Sequence, residues 1–455
     1  MPPPAPTSLA PVRSAELAGW GANRRVRCDL ISPQRQEDVS KALLPAGVAP
    51  RGLGRSYGDC AVLAGGRVLE LVGLNRYLSF DEERGLLCCE AGVSLSGIIR
   101  DFGPRGWFPM VTPGTKFVTV GGCIANDVHG KAHHSQGCFS ASVRAMTLLL
   151  ASGEVVPLSP EDDAELFWAT FGGMGLLGVV LTATLQLRKI ETTWFRQSAF
   201  PVANLEEMLR VLEEQDRAYP YSVATLDVFA TGAALGRGVV SVGDPLSRAD
   251  LPAGKDPLKI SGPPRLVVPF DLPEWILNRA TMRVGNWMIQ TILRRAGGPG
   301  HYEGFFYPLD MIGHWNRGYG RRGFTQYQFV IPFEDGLRQM TRILDVILQA
   351  GELPFLNVLK RFGKEGKGHL SFPKEGYTLA IDFPIRSGTP ALLKRLDGLV
   401  LDAGGRIYLG KDAFVEAETF RRMYPRLDAW LAIKARVDPS GVFRSDLGKR
   451  VGLSP

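Results

Sequence analysis

The chain has 455 residues, about three times the ~150-residue prior for one domain, so two or three lobes are expected. Apolar residues make up 45% and charged residues 22%, which is ordinary globular usage and excludes a disordered bulk. The net charge of +7 suits anionic partners such as phosphates or acidic headgroups, and with no Lys/Arg run or recognisable module nucleic acid is not expected.

The opening Met-Pro-Pro-Pro-Ala-Pro-Thr has neither a basic nor an apolar region and reads as a frayed tail rather than a secretory signal. No run of ~18 apolar residues occurs, so no membrane-spanning helix is expected. Up to about residue 190 the chain is rich in glycine and short apolar runs, with strands at 67–72, 86–89 and 144–151 and helices at 36–44 and 94–102. A strand begins at Val179, where Val179, Leu181, Ala183, Leu185 and Leu187 alternate with more polar neighbours. Cysteines 28, 60, 88, 89, 123 and 138 all lie in this part, none in a C-x-x-C pair, which points to a reducing, cytoplasmic setting.

The middle of the chain predicts helices at 204–217 and 334–350 and strands at 325–331 and 377–383, a second α+β lobe. Residues 255–300 carry seven Lys/Arg against three Asp/Glu, interleaved with Trp275, Trp287, Ile289 and Ile292. Such a stretch is either a helix packed on its own lobe or a basic, tryptophan-bearing segment at a membrane interface. Near the end, 417–435 places Phe420, Met423, Leu427, Trp430 and Leu431 on one helical stripe that Asp438-Pro439 terminates.

Three glycine motifs compete for a phosphate. Gly173-Met-Gly175-Leu-Leu-Gly178 is a literal G-x-G-x-x-G, but a helical segment precedes it and a strand follows, the reverse of the dinucleotide fingerprint. Arg51-Gly-Leu-Gly-Arg-Ser-Tyr-Gly58-Asp59 exposes enough backbone to cradle an anion. Its Gly54-Arg-Ser56-Tyr-Gly58 also fits a nucleophile elbow, yet the strand before it is short and broken by Pro50. Pro113-Gly-Thr115, Thr119-Val-Gly-Gly122 and Asn126-Asp-Val-His-Gly-Lys131 suggest a backbone pressed against a large planar or phosphorylated ligand. His129 and His133 stand four apart, but with no intervening Glu and no third ligand they are not read as a metal site.

Together these motifs resemble the flavin-binding half of the vanillyl-alcohol-oxidase (PCMH) type of FAD oxidoreductases, and within it the branch that oxidises polyprenylphosphoryl-ribose. Tyr307-Pro-Leu-Asp-Met, Gln326-Tyr-Gln328-Phe-Val-Ile-Pro, Phe355-Leu-Asn-Val-Leu-Lys360, Asp382-Phe-Pro and Tyr408-Leu-Gly-Lys411-Asp extend the likeness over nearly the whole chain from about Trp20. The resemblance implies a two-domain α+β fold: an FAD domain from 1–190 completed by 406–455, and a separate α+β substrate (cap) domain over 191–405. It places the FAD pyrophosphate on Arg51, Gly52, Leu53, Gly54, Arg55, Ser56, Tyr57 and Gly58, and on Gly114, Thr119, Val120, Gly121 and Gly122. Asn126, Asp127, Val128, His129, Val180 and Tyr408 would line the rest of the cofactor. Relatives with covalent flavin often have a histidine where Arg55 stands, so dissociable FAD is expected.

The implied reaction oxidises the C2 hydroxyl of a polyprenylphosphoryl-β-D-ribose to the 2-keto sugar, which a separate NADPH-dependent short-chain reductase would convert to the arabinose epimer. An aldonolactone or alditol oxidase acting on a soluble sugar is the alternative. Removing the hydroxyl proton needs a base, for which Lys411 and Tyr57 are the candidates, while His129, Lys131, Gln328 and Lys360 would hold the sugar and its phosphate. Taken alone, Lys411 would pass for a surface lysine. Family members commonly carry an aromatic at Thr225, asparagine at Thr378 and cysteine at Ala380, so the wall above the sugar differs here. The lipid-linked substrate adds the expectation of a peripheral contact with the inner membrane face through 255–300.

Overall fold

The computed structural model describes residues 11–264, 266–352, 354 and 356–455, so the N-terminal tail and Phe355 lie outside the described residues. Three large sheets and one short parallel pair, Leu266–Val267 with Ile312–Gly313, are present among the described residues. In the first, Arg13–Ala18 runs antiparallel to Arg25–Ile31, while Arg25–Ile31 and Val48–Arg51 both run parallel to Arg67–Glu70. The second is antiparallel in the order Tyr77–Asp81, Leu86–Glu90, Val179–Lys189, Val143–Leu149, Val155–Leu158, with Trp107–Pro109 on the far end of Val179–Lys189. The alternation read from Val179 onward is visible here: its apolar set is buried and the intervening residues from Thr182 to Arg188 are half-exposed.

The third sheet is wholly antiparallel, in the order Gly298–His301, Trp194–Val202, Gly238–Pro245, Tyr221–Leu226, Asn357–Phe362, Gly376–Pro384, Phe324–Ile331, Arg406–Ile407. Its two faces differ in chemistry. Tyr327, Phe329, Ile331, Leu379, Ile381 and Phe383 enter the apolar core with Met340, Ile343 and Leu396 of the covering helices Gly336–Gln349 and Thr389–Asp402. Because side chains alternate along a strand, the intervening Gln326, Gln328, Thr378, Ala380 and Asp382 share the opposite face, all buried. A polar sheet face hidden from water calls for a functional reason.

The C-terminal residues return to the first lobe. Trp430 is fully buried and donates from Nε1 to the Ala169 carbonyl at 3.0 Å, while the Val48 amide donates to the Val442 carbonyl and the Arg444 amide donates to the Val48 carbonyl. Strand Arg406–Ile407 pairs with Phe324–Ile331 and so belongs to the third sheet.

Two sequence expectations are corrected. The single helix over 417–435 is two, Ala417–Met423 and Leu427–Val437. Pro425 has no N–H to continue the ladder and drives Tyr424 out of the helical conformation. In 255–300 the longest helix among the described residues is Arg279–Arg294; it packs on Gly238–Pro245 and Trp194–Val202 but buries no broad apolar stripe, for Met282 and Gln290 are its buried residues while Val284, Trp287, Met288 and Ile292 face outward. Among the described residues no helix is long and apolar enough to cross a membrane.

Candidate active site

The polar face of the third sheet meets the glycine loop of the first lobe. Two backbone contacts bring them together: the Tyr57 amide donates to the Gly410 carbonyl at 3.1 Å, and Gly58 passes so close that a Cβ there would sit 1.8 Å from the Asp412 carbonyl oxygen. Only glycine permits that approach. Arg450 locks the junction, its guanidinium reaching Asp59 at 2.8 Å and Asp412 at 2.8 Å. Nothing in the sequence spacing ties Arg450 to these two carboxylates, and their places at the ends of the two quoted motifs were the only hint.

Tyr57 and Lys411 thereby become neighbours, with the Lys411 ammonium 4.7 Å from the Tyr57 ring centre. Burial brings the Lys411 amine down to about 8, against the pull of Asp382. Burial first, and then the Asp382 charge, hold the Tyr57 phenol well above its ordinary value, so at neutral pH Tyr57 is a hydrogen-bond donor and Lys411 is the group able to take a proton. Lys411 donates to Gln326 Oε1, and Gln326 Nε2 donates to Asp382 at 2.5 Å. Both stand in motifs quoted from the sequence, but neither was given a role there.

Next along the face, Gln328 Nε2 donates to His129 Nε2 at 3.0 Å and to Thr378 Oγ1 at 3.2 Å. Accepting at Nε2 places the imidazole proton on Nδ1, which is buried without a partner and so is free to donate to a ligand. Burial, then Lys360, His133 and Lys411, hold His129 well below its ordinary pKa, and it is neutral. Burial likewise brings Lys131 down to about 8, and burial with Lys411 and Lys131 brings Lys360 down to about 7. Lys360 feels the charges of both Lys411 and Lys131, and among the described residues Asp382 reaches Lys411 through Gln326, so the group makes a site that an anion would complete. Lys131 meanwhile rests against the Phe305 carbonyl and ring. Ala380 is buried beside Gln328, its partner across the ladder.

The glycine loops fit FAD in part as expected. The amides of Gly54, Arg55, Ser56 and Gly114 find no acceptor among the described residues, and a Cβ at Gly114 would meet no atom within 4 Å, so these positions are open to a phosphate. Gly52 lies so close to Thr119 that a Cβ would come 2.3 Å from its hydroxyl, which packs the two loops into one floor. Asn126 Oδ1, His129 Nδ1 and Arg55 Nε are buried polar atoms with no partner, and Tyr408 closes the row by donating from its hydroxyl to the Asn126 carbonyl at 3.2 Å. Val128 and Val180 are buried nearby and offer apolar surface. The donor set and the flat, glycine-lined floor suit a dinucleotide with a planar ring.

Three expectations for this region are corrected. The amides of Val120, Gly121 and Gly122 are already taken, by the Val93 carbonyl, the Ala91 carbonyl and the Thr119 hydroxyl, so this turn contributes close approach rather than donors. Arg51 spends its guanidinium on the Ala18 and Ala61 carbonyls. Asp127 is wholly buried, with its carboxylate accepting from the Ser140 amide at 3.0 Å and the Ser371 hydroxyl at 2.5 Å, so it pins the lobes together instead of touching a ligand. Leu53 is exposed and can contribute only main chain. Asp310, quoted in the Tyr307 motif but given no role there, fixes the 113–116 turn from the other lobe through Thr115 and the Lys116 amide, at 2.7 and 2.8 Å.

Residues 30–159 match the FAD binding domain family, and residues 321–451 match the D-arabinono-1,4-lactone oxidase family. The chain is 40% identical to the decaprenylphosphoryl-β-D-ribose oxidase of Mycolicibacterium smegmatis over 458 residues, which covers 98% of this chain and 99% of that protein. It is 24% identical to the L-gulono-1,4-lactone dehydrogenase of Mycobacterium tuberculosis over 450 residues, 93% of this chain and 95% of that protein. The L-gulonolactone oxidase of Bos taurus is 30% identical over 170 residues, 37% of this chain and 38% of that protein.

Proposed function

The chain belongs to the decaprenylphosphoryl-β-D-ribose oxidase family of FAD-dependent oxidoreductases, and from that premise we propose that it oxidises the C2 hydroxyl of a polyprenylphosphoryl-β-D-ribose to the 2-keto sugar. The observation that carries the reading is the half-buried group of Lys131, Lys360 and Lys411 beside Tyr57 and His129, which suits a phosphorylated sugar better than a neutral lactone.

The amides of Gly54, Arg55, Ser56 and Gly114 would hold the FAD pyrophosphate, with Gly52, Gly121 and Gly122 as the floor beneath it. Asn126, Val128, His129, Val180 and Tyr408 would line the remainder. When bound, FAD supplies the two-electron acceptor for the hydrogen on C2. Neutral Lys411 takes the C2 hydroxyl proton, Tyr57 and His129 Nδ1 donate hydrogen bonds to sugar oxygens, and Lys131 and Lys360 hold the phosphate as point charges. Gln328 orients His129, and Thr378 orients Gln328. Arg55, whose guanidinium lies 3.9 Å over the Trp20 ring, offers no nucleophile to the flavin, and the cofactor is non-covalent.

In this reading residues 1–190 with the chain after 407 form the FAD unit, and the segment between them is the cap. The keto product passes to a separate NADPH-dependent short-chain reductase, completing an epimerisation to the arabinose lipid. The protein works in the cytoplasm at the inner membrane face, where the outward apolar side of Arg279–Arg294 meets the lipid that carries the substrate. Anaerobic titration tests the reading: polyprenylphosphoryl-β-D-ribose should bleach the bound flavin where galactonolactone and xylitol do not, and denaturation should release FAD. Bleaching by galactonolactone or xylitol alone would overturn it in favour of a soluble-sugar oxidase.

A further inference from the structure

Asp382 has no part in the chemistry just described, yet it is fully buried in the wall of the site, directly across the ladder from Gln326. Its carboxylate accepts from Gln326 Nε2 at 2.5 Å and from the Tyr319 hydroxyl at 3.0 Å. Gln326 in turn accepts from Lys411 with its carbonyl oxygen. The glutamine cannot turn over: a carboxylate only accepts and an ammonium only donates, so the amide nitrogen must face Asp382 and the oxygen must face Lys411. An isolated buried carboxylate is expensive, and this one is kept where it acts on the lysine through a single side chain.

We propose that Asp382 is a positioning residue for the proton acceptor: through Gln326 it fixes where the Lys411 amine stands, and through its charge it sets the pH at which that amine becomes neutral. The inference rests on Lys411 being the base of the proposed reaction. The groups that face Asp382 are Gln326 from Phe324–Ile331, Tyr319 from the turn before that strand, Lys411 from the 408–412 turn, and Tyr57 from the glycine loop. Lys411 is the cation among them. Burial pushes Asp382 up to about 6, so it is an anion at neutral pH and favours the charged lysine.

Asp382→Asn keeps the shape and removes the charge. Without the anion the ammonium form of Lys411 is less favoured, so its pKa falls. The acid limb of the rate of flavin reduction by polyprenylphosphoryl-β-D-ribose should move down by about one pH unit or more. The absorbance of the bound oxidised flavin, titrated with no substrate present, should show its midpoint moving in the same direction. A residue that only supports the wall would lower the rate by one factor at every pH and leave both midpoints in place, and that result would overturn the proposal. Should the asparagine variant not hold flavin, Asp382→Ser removes the same charge with a smaller side chain, and Asp382→Glu must keep the original midpoint. The substrate-free titration stands apart from the choice of substrate. A flavin that the ribose lipid fails to bleach therefore overturns the proposed function, whereas unmoved midpoints in the charge-free variants overturn the role of Asp382 alone.

Discussion

Lys411 can accept a proton only while its amine is neutral, and burial brings that condition to a pH near 8. Below that value each unit of acidity leaves about tenfold less of the neutral amine. The rate of flavin reduction in stopped-flow absorbance should therefore climb about tenfold per pH unit up to ~8 and then level off. Lys411→Met keeps the bulk and loses the base, and should slow reduction by at least about a hundredfold while FAD content is unchanged. Tyr57 will not substitute at neutral pH, because burial and Asp382 keep its phenol protonated. The sequence alone could not rank these two candidates. Lysine and tyrosine are equally plausible in a motif, and only burial beside a specific charge separates them.

At the scale of elements, period and punctuation told most of the story. The strand starting at Val179 and the helices Leu205–Ala218 and Gly336–Gln349 were legible because apolar residues recur at the strand or helix period, although Asn204, read as the first helical residue, is the cap before Leu205. Pro425 was the one breaker overlooked, hidden inside a good helical stripe. What the sequence did not disclose was pairing at a distance: which amides of the Thr119 turn were already used, and that Asp59 and Asp412, 353 residues apart, share Arg450. That arginine joins three elements, the glycine loop, the 408–412 turn and helix Asp446–Val451. Arg450→Met would leave two buried carboxylates without their cation. Breaking a buried pair in this way costs about 3 kcal/mol or more. The loss should appear as a lower urea midpoint with little change in slope.

Across the whole molecule, the surface is uneven in a way that matters for a lipid substrate. Trp275, Trp287, Ile292, Phe270 and Leu266 are each more than 60% exposed and lie within one stretch of fewer than thirty residues. A neighbouring parallel pair, Leu266–Val267 with Ile312–Gly313, adds Val267 and Ile312. Scattered exposed apolar residues are normal, but a concentration of this kind marks a surface that is covered in use. Arg279, Arg283, Arg294 and Arg295 are exposed on the same helix or just past it, which pairs an apolar face with a basic rim. On the proposed reading the cover is an anionic bilayer, and the sugar enters the site while its prenyl chain stays in the lipid. The protein should then sediment with vesicles containing anionic phospholipid and bind neutral ones more weakly, with added salt removing the difference between them. Replacing Trp287 and Ile292 together by serine removes two inserting side chains worth about 3 kcal/mol, roughly a hundredfold in partitioning. That double variant should reduce flavin normally with a short-chain, water-soluble ribosyl phosphate, because neither residue belongs to the polar sheet face. If it binds vesicles as well as the parent does, the apolar side of the helix has some other cover, and the ribose lipid must reach the lysines by another route.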